Sequence, residues 1–336
     1  MSSLAGYTSG ILFESDTVAP AVNVNGWLTG RQPGTGGAQA SSITLSGNTF
    51  TNSGSSATLP SVAIAQESFG TTLNAVNATP NLFNGLSLTG STATPDLFTI
   101  ADQIADSVDA SNLGNVTLKS GNVYVTPNSF WAPSSTTIAD VSRAVAQASA
   151  SSTVLVKTGA YATGAATTTV NNLTVNVEAG VTGFTGLVLG TGVTNGTLAG
   201  AGGVALTGSS DNNTLTGNDG DNTITGGLGD DTIDGGLGTN TAVFSGNYDD
   251  YVISLTPTIT VTGKPGKPDT SVDTLTNIQS LQFADITVPL DSVPTTLTVS
   301  AAGITYGDDG IVEVTVARVE GTTPVPSGTV KLVVNG

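Results

Sequence analysis

The sequence predicts an all-β protein built as a solenoid with short capping helices, and three observations support this. Gly, Thr, Ser, Asn, Val and Ala dominate the composition, while charged residues make up 10% and aromatic residues 5%. This bias is typical of β-solenoids and β-sandwiches. Residues 208–243 repeat with a period of nine, and a short fixed period indicates a solenoid. Elsewhere, short apolar runs alternate with turn-forming residues, as strands alternate with turns.

Residues 1–94 are predicted to form β-helix coils. The string from Ser46 to Phe50 resembles one coil of a right-handed parallel β-helix, in which Asn often stacks inside the turns. Strands of a β-sandwich are the alternative. The predicted strands are Val22–Val24, Ile43–Leu45, Val62–Ile64 and Leu86–Leu88.

Residues 95–135 are predicted to form a helix-containing bridge, because the apolar spacing changes there. The apolar residues that follow helical spacing and share one face are Leu97, Ile100, Ala101, Ile104 and Val108. Two predicted strands follow, at Val116–Leu118 and Val123–Val125.

Residues 136–206 are predicted to form a second β-helix that begins with a helix at Ile138–Ala148. Thr137 is its predicted N-cap, with Asp140 three residues on. The helix and the strand at 153–161 resemble the start of pectate-lyase-like β-helices, in which such a helix covers the open end of the first coil. The apolar face of the helix consists of Ile138, Val141, Val145 and Ala148, and further coils are predicted at Leu173–Val177, Leu187–Leu189 and Leu198.

A block of nine residues occurs four times without insertion from Gly208 to Val243. Glycine opens every block, so the chain can turn tightly, and the last three residues form a strand that buries one side chain. Two blocks make one coil, so every second block is predicted to stack, with Asn213 beneath Asp231 and Asn222 beneath Asn240. The predicted apolar ladder consists of Leu206, Leu215, Ile224, Ile233 and Ala242.

The third block, residues 226–234, matches at every position the repeats-in-toxin nonapeptide, written GGxGxDxUx with U apolar. The other three blocks have Asn in the sixth place. Residues 273–285 resemble the segment that commonly closes such repeats. The resemblance implies a calcium-binding β-roll over residues 207–243 and a roll-closing β segment over 244–292. A disordered linker is the alternative, which the unbroken register and its apolar ladder disfavour.

Calcium is the predicted cofactor, because it takes about six to eight oxygen ligands at a flexible radius and stacked turns offer carboxylate, amide and backbone oxygens. Asn supplies an oxygen without a charge, so the Asn-bearing turns either bind calcium weakly or form dry amide stacks. The predicted metal-binding residues are Asn213, Asp219, Asn222, Gly226, Gly229, Asp231, Gly235, Gly238 and Asn240.

The roll-closing segment is predicted to begin with a hairpin of Tyr251–Leu255 and Thr258–Thr262. Strands within residues 293–336 resemble bacterial immunoglobulin-like repeats. This unit reaches only from Pro294 to Gly336, roughly half of the about 100 residues that an immunoglobulin sandwich needs. The full predicted fold is therefore a right-handed parallel β-helix/β-roll solenoid with short capping helices and an incomplete immunoglobulin-like β unit at the C-terminal end.

Charge and composition restrict the function. The net charge is −17 with eight basic residues, which disfavours binding to nucleic acid or insertion into an anionic membrane and suits divalent cations. Cysteine and histidine are absent, which excludes disulfides, Ser-His-Asp catalysis and thiolate or imidazole zinc sites. No secretory signal peptide or membrane-spanning run is recognised. Calcium repeats predict an extracellular location, and the resemblance implies type I secretion.

The predicted function is that of a secreted calcium-binding structural protein of the bacterial surface or matrix, such as a surface layer, adhesin or filament subunit. Self-association, end to end or by strand addition, and cell-surface polysaccharide are the predicted partners. A start without a cap and the incomplete final unit motivate the self-association. The alternative is a carbohydrate-active β-helix module of the lyase or epimerase type, but the basic residues Arg143 and Lys157 fit surface positions better than catalytic ones. The chain is therefore predicted not to be an enzyme.

Overall fold

The computed structural model describes residues 80–109, 115–129, 138–255 and 258–290, together with the backbone of short strands between residues 10 and 72 and between 296 and 317. Within these ranges, the secondary structure is mostly β, with two short α-helices.

In the part of the chain that the structure describes, nine short strands precede the first helix, and most of them pair in parallel. Parallel pairs join β1 to β3, β2 to β5, β5 to β8, and β4 to β7, while β8 and β9 pair antiparallel. Stacked coils give parallel pairs, whereas β-sandwiches are antiparallel, so the β-sandwich alternative is wrong for these strands. The strands are β1 (Gly10–Phe13), β2 (Asn23–Val24), β3 (Trp27–Gly30), β4 (Ser42–Thr44), β5 (Thr49–Phe50), β6 (Val62–Ala63), β7 (Gly70–Thr72), β8 (Asn81–Phe83) and β9 (Leu86–Leu88).

Helix α1 (Thr94–Ala101) is shorter than the apolar spacing predicts. The predicted helical stripe is wrong beyond Ala101, because Ile104 enters strand β10 (Ile104–Ala105) and pairs with Val62 of β6. Strand β11 (Val116–Thr117) pairs with β7, so the bridge continues the parallel stacking of the upstream coils.

Helix α2 (Val141–Gln147) begins later than predicted. Its N-cap is Asp140, whose carboxylate accepts a hydrogen bond from the backbone N–H of Ser142 at 2.8 Å. Ile138 is 53% exposed and lies before the helix, so it is not part of the apolar face as predicted. The proposed cap Thr137 lies outside the described residues. The helix buries Val141, Ala144 and Val145 in the core of the solenoid.

Two long sheets form the solenoid, and the chain alternates between them. Sheet 1 begins in the bridge with β12 (Asn122–Val125), which pairs in parallel with β13, and sheet 2 begins with β14. Sheet 1 contains β13 (Thr153–Val156), β15 (Leu173–Val177), β17 (Asn195–Gly200), β19 (Thr214–Thr216) and β21 (Thr232–Asp234), whereas sheet 2 contains β14 (Gly159–Thr168), β16 (Val181–Leu189), β18 (Ala205–Thr207), β20 (Thr223–Thr225) and β22 (Thr241–Val243).

The coils upstream of the repeats are longer than the coils of the repeats themselves. Upstream, Thr153 pairs with Thr174 and Leu173 with Gly196, so each of these coils is longer than two blocks of the repeat. In the repeats, Thr214 pairs with Thr232 and Thr223 with Thr241, and each partner lies two blocks further along the chain. The predicted two-block coil is therefore confirmed.

The apolar ladder fills the space between the two sheets of the repeat region. Each member is at most 1% exposed, because a three-residue strand points only its middle side chain inward. The ladder connects directly to the core of the upstream coils, so the β-helix and the β-roll share one hydrophobic core. Its members are Leu206, Leu215, Ile224, Ile233 and Ala242.

Antiparallel strands end the stack on both sheets. The hairpin of β23 (Tyr251–Ser254) and β24 (Ile259–Gly263), which follows a 3-10 turn at Tyr248–Asp250, adds to sheet 1 beyond β25 (Val272–Thr276). On sheet 2, β26 (Ser280–Gln282) pairs in parallel with β22 and antiparallel with β27 (Thr287–Pro289). Aromatic rings pack at this end: the ring centroid of Phe283 lies 5.4 Å from those of Phe244, Tyr248 and Tyr251, and Phe244 also lies 5.4 Å from Tyr251.

Strands β28 (Thr296–Ala301) and β29 (Val312–Ala317) form an antiparallel pair. Both strands lie in the region whose sequence resembles immunoglobulin-like repeats, and residues 318–336 of that region lie outside the described residues. An immunoglobulin-like fold for this region stays a prediction.

Candidate metal site

The first glycine of each block is required by close approach, either to the next coil or to the sixth side chain of its own block. A β-carbon on Gly217 would lie 2.3 Å from the carbonyl oxygen of Gly235 in the next coil, and one on Gly226 would lie 2.1 Å from Oδ2 of Asp231. The sixth side chain of each block therefore folds back into its own turn, against the opening glycine. This places the predicted ligand inside the turn, where backbone carbonyls surround it.

The turns of the third and fourth blocks differ from those of the first two. Gly227 and Gly229 have φ of 110° and 92°, and the fourth block repeats this pattern. Only glycine adopts such values readily. Within residues 208–243, all of which the structure describes, the first two blocks contain no residue with positive φ. The double-glycine turn of the repeats-in-toxin pattern is thus confined to the last two blocks.

The sixth residues on the sheet 1 side form a hydrogen-bonded column. The backbone N–H of Asn213 donates to Oδ1 of Asp231 at 2.7 Å, and the N–H of Asp231 donates to Oδ1 of Asp273 at 2.9 Å. This confirms that Asn213 stacks on Asp231, and it extends the column into the closing segment. All three side chains are at most 2% exposed.

A second column runs along the sheet 2 side. The N–H of Asn222 donates to Oδ1 of Asn240 at 3.0 Å, and the N–H of Asn240 donates to Oε1 of Gln279 at 2.6 Å. The predicted stacking of Asn222 on Asn240 is confirmed. In contrast to the first column, every side chain in this one is uncharged.

The amide groups of the Asn residues already satisfy carbonyls inside the turns. Nδ2 of Asn213 donates to the carbonyl of Val193 at 2.9 Å, and Nδ2 of Asn240 donates to the carbonyls of Leu237 at 2.8 Å and Asn277 at 3.0 Å. Nδ2 of Asn222 donates to the carbonyl of Gly220 at 2.7 Å. These N–H groups occupy carbonyl oxygens that a cation in the turn would need.

Two sixth-position oxygens are buried without a hydrogen-bond donor: Oδ2 of Asp231 and Oδ1 of Asn222. A buried oxygen without a donor is costly, and far more so when it carries charge. Burial raises the pKa of Asp231 to about 6, with repulsion from Asp269 and Asp230 adding to the rise. Burial also raises the pKa of Asp273 to about 7, and repulsion from the carboxylate of Asp231 adds to this rise. A cation is the partner that the buried carboxylate oxygen of Asp231 lacks, so Asp231 and its neighbour Asp273 fit calcium.

The other predicted ligands lie at different positions in the turns. Gly226, Gly229, Gly235 and Gly238 belong to the turns of the last two blocks, and they contribute backbone oxygens only. Asp219 is exposed, and its backbone N–H donates to the carbonyl of Gly200 at 3.0 Å. Among the described residues, no three carboxylates converge on one point, so backbone and amide oxygens have to complete any metal site.

Asp273 and Gln279 were not among the predicted ligands, although they continue the two columns. The signal was present in the sequence, because Asp273-Thr274-Leu275 repeats the pattern of Asp231-Thr232-Ile233. The long hairpin between the two triplets breaks the period of nine and hides the relationship.

The basic residues considered for the carbohydrate-active alternative make structural contacts. The guanidinium of Arg143 donates to the backbone carbonyl of Asp109, and Nζ of Lys157 lies 3.5 Å from Oδ2 of Asp102. Both contacts join the bridge to the first coils of the solenoid.

No helix in the described part of the chain is long and apolar enough to cross a bilayer.

Residues 207–242 match the family model of the RTX calcium-binding nonapeptide repeat, in four copies. Such repeats bind calcium and form a β-roll, so calcium is the cofactor of this stretch and the protein is a calcium-binding β-solenoid. RTX repeats are typical of extracellular proteins secreted by the type I route, and no catalytic family was found. No curated protein and no solved structure matched the chain.

Proposed function

We propose that this chain is an extracellular structural protein of the bacterial surface or matrix, in which calcium stabilises the β-roll. The observation that carries this proposal is the buried carboxylate oxygen Oδ2 of Asp231, which has no hydrogen-bond donor and lies in the one block that matches the calcium repeat at every position. Calcium would supply the missing positive charge at this oxygen.

Asp231 is the main proposed ligand, because its Oδ2 lies in the turn against Gly226, and the carbonyls of Gly226 and Gly229 are proposed as further ligands. The turn with Gly235 and Gly238 has the same backbone form but carries Asn240, whose amide already donates to two carbonyls. Asn213, Asn222 and Asp219 are proposed as weaker, accessory oxygen ligands.

Net charge supports an extracellular site of action. A chain with a net charge of −17 repels itself, and calcium both neutralises buried carboxylates and weakens this repulsion. Calcium-binding modules of extracellular proteins have dissociation constants of about 0.1 to 1 mM, so such a roll would be loaded outside the cell and empty in the cytoplasm. As partners we propose further copies of the chain or a cell-surface polysaccharide.

The test is thermal unfolding, followed by circular dichroism, in chelator and at increasing calcium up to roughly 10 mM, which lies well above the expected dissociation constant. We expect the Tm to rise with the logarithm of the calcium concentration, because calcium binds only to the folded roll. Magnesium at the same concentration is the control, and it should have less effect because it demands stricter geometry. A Tm that does not change with calcium would contradict the proposal.

A further inference from the structure

The closing segment takes the place of a fifth repeat turn on the sheet 1 side. After the hairpin, residues 268–273 return to the stack beneath the third block. The N–H of Val272 donates to Oδ1 of Asp230 at 2.8 Å, and the N–H of Thr274 donates to the carbonyl of Asp231 at 2.8 Å. These bonds repeat those between the first and third blocks, in which Asp230 donates to Asn212 at 3.0 Å and Thr232 to Asn213 at 2.8 Å.

This return places two carboxylates next to each other in a column that is otherwise neutral. Asp231 is 1% exposed and Asp273 is 2% exposed. The N–H of Asp231 donates to Oδ1 of Asp273 at 2.9 Å, so the two carboxylates belong to adjacent coils of one column, and adjacent coils lie about 4.8 Å apart. The ion pairs among the described residues are Lys157 with Asp102 and Lys267 with Asp250, and neither neutralises this pair.

The spacing suits one calcium ion. Calcium–oxygen distances are about 2.3–2.6 Å, so an ion between two oxygens about 4.8 Å apart contacts both. The second observation is independent of the charges: Oδ2 of Asp231 is buried and has no donor. Asp230 and Asp269 lie close enough to add negative potential to the same region.

We propose that Asp231 and Asp273 hold one calcium ion between the third block and the closing segment, and that this is the tightest calcium site of the chain. The site uses a ligand from outside the four repeats. It rests on the proposed function, because it requires that the roll binds calcium. The Asn-bearing turns contribute little, since their amide N–H groups occupy the carbonyls that calcium would bind.

The experiment is calcium titration by isothermal calorimetry on the full chain and on D273N, D231N and D249N. D249N is the control, because Asp249 is exposed and its substitution removes the same charge away from the column. We expect D273N and D231N each to weaken the tightest binding step at least about tenfold, since loss of even an outer-shell partner of a metal costs about 10- to 100-fold in affinity, while D249N matches the natural chain. Unchanged affinity in D273N would overturn the site.

Two further readouts separate the possible failures. If the natural chain shows no calcium binding at all, then the proposed function itself fails; if it binds and D273N binds equally well, only this site fails. Asn is already present in the same column at Asn213, so D273N should fold in chelator, which circular dichroism checks. Should D273N not fold, hydrogen exchange on the natural chain decides: calcium should protect residues 268–275 more than residues 217–225, and equal protection would overturn the site.

Discussion

At the scale of single residues, the opening glycines of the blocks are fixed by the distance between coils. Gly217 faces the carbonyl of Gly235 in the next coil, and a β-carbon there would come within 2.3 Å of that oxygen. Real β-carbons do not approach a backbone oxygen so closely, so the two coils would have to separate. Composition alone suggests flexibility at these glycines, whereas the structure shows tight packing.

We predict that G217A destabilises the roll by about 1–3 kcal/mol, the usual cost of overpacking a tight interior. Gly90 provides the matched control, because a β-carbon there has open space around it and G90A should change stability by less than about 0.5 kcal/mol. Chemical denaturation monitored by circular dichroism measures both. Equal stability of the two variants would show that the coils accommodate a methyl group.

The sequence predicted the residue stacking but not the full site. A period of nine, with two blocks to a coil, is sufficient to pair Asn213 with Asp231 and Asn222 with Asn240. The sequence does not decide what the Asn amides do, because their role depends on which carbonyls face each Nδ2 atom, and this follows only from the folded turns. Asp273 was missed because a hairpin separates it from the repeats.

At the scale of elements, the junction between the bridge and the first coils contains a second carboxylate pair. The carboxylate of Asp106 accepts hydrogen bonds from the N–H groups of Val108 at 2.8 Å and Val116 at 3.1 Å, and Oδ2 of Asp109 accepts one from the N–H of Asp106 at 2.8 Å. Burial raises the pKa of Asp106 to about 6. Burial, followed by repulsion from Asp106, raises the pKa of Asp109 well above its usual range, while Arg143 lowers it.

Both carboxylates therefore bind protons more tightly in the folded chain than in the unfolded chain. Folding stability from this pair is present at low pH and is lost as the pH rises through about 6. We predict that D109N raises the Tm in chelator at pH 7 by about 2–4 °C, corresponding to about 1 kcal/mol, and has little effect at pH 4. D249N is the control for loss of one exposed charge. A lower Tm of D109N at pH 7 would mean that its attraction to Arg143 outweighs the repulsion.

The sequence predicts the positions of strands more accurately than the limits of helices. Strands with a clear apolar centre, such as Leu173–Val177, were found where expected. Helix limits were less accurate, because Ile104 fits a helical stripe by spacing yet pairs with Val62 in a strand. In a coil, parallel pairing with a strand of the previous turn decides the backbone conformation. The spacing of apolar residues along the sequence does not show which strands will pair.

At the scale of the whole molecule, the two-block coil sets which sheet each strand joins. Deleting residues 217–234 removes one coil, and the strand at Thr241–Val243 still enters sheet 2. Deleting residues 217–225 removes half a coil and sends every later strand to the opposite sheet. We predict that the first deletion retains a single cooperative unfolding transition, whereas the second loses it because the closing hairpin no longer meets sheet 1.

Circular dichroism melting of both deletions tests this, with binding of a hydrophobic dye as a second measure of exposed core. Cooperative unfolding of the shorter deletion would contradict the two-block coil. The larger deletion also removes Asp231, so its Tm should respond less to calcium than that of the natural chain.

The long chain segment between Thr232 and Thr274, which contains the closing hairpin, has a mechanical consequence. Thr232 pairs with Thr274, and the chain between them is more than twice as long as the chain between the paired residues Thr214 and Thr232. Hydrogen bonds between coils run along the stacking direction, so tension applied along that axis peels coils off one after another. Each repeat coil then releases about 60 Å of chain at about 3.4 Å per residue, whereas the last coil stores more than twice that length. The C-terminal coil therefore acts as a long extensible element behind a row of short, equal ones.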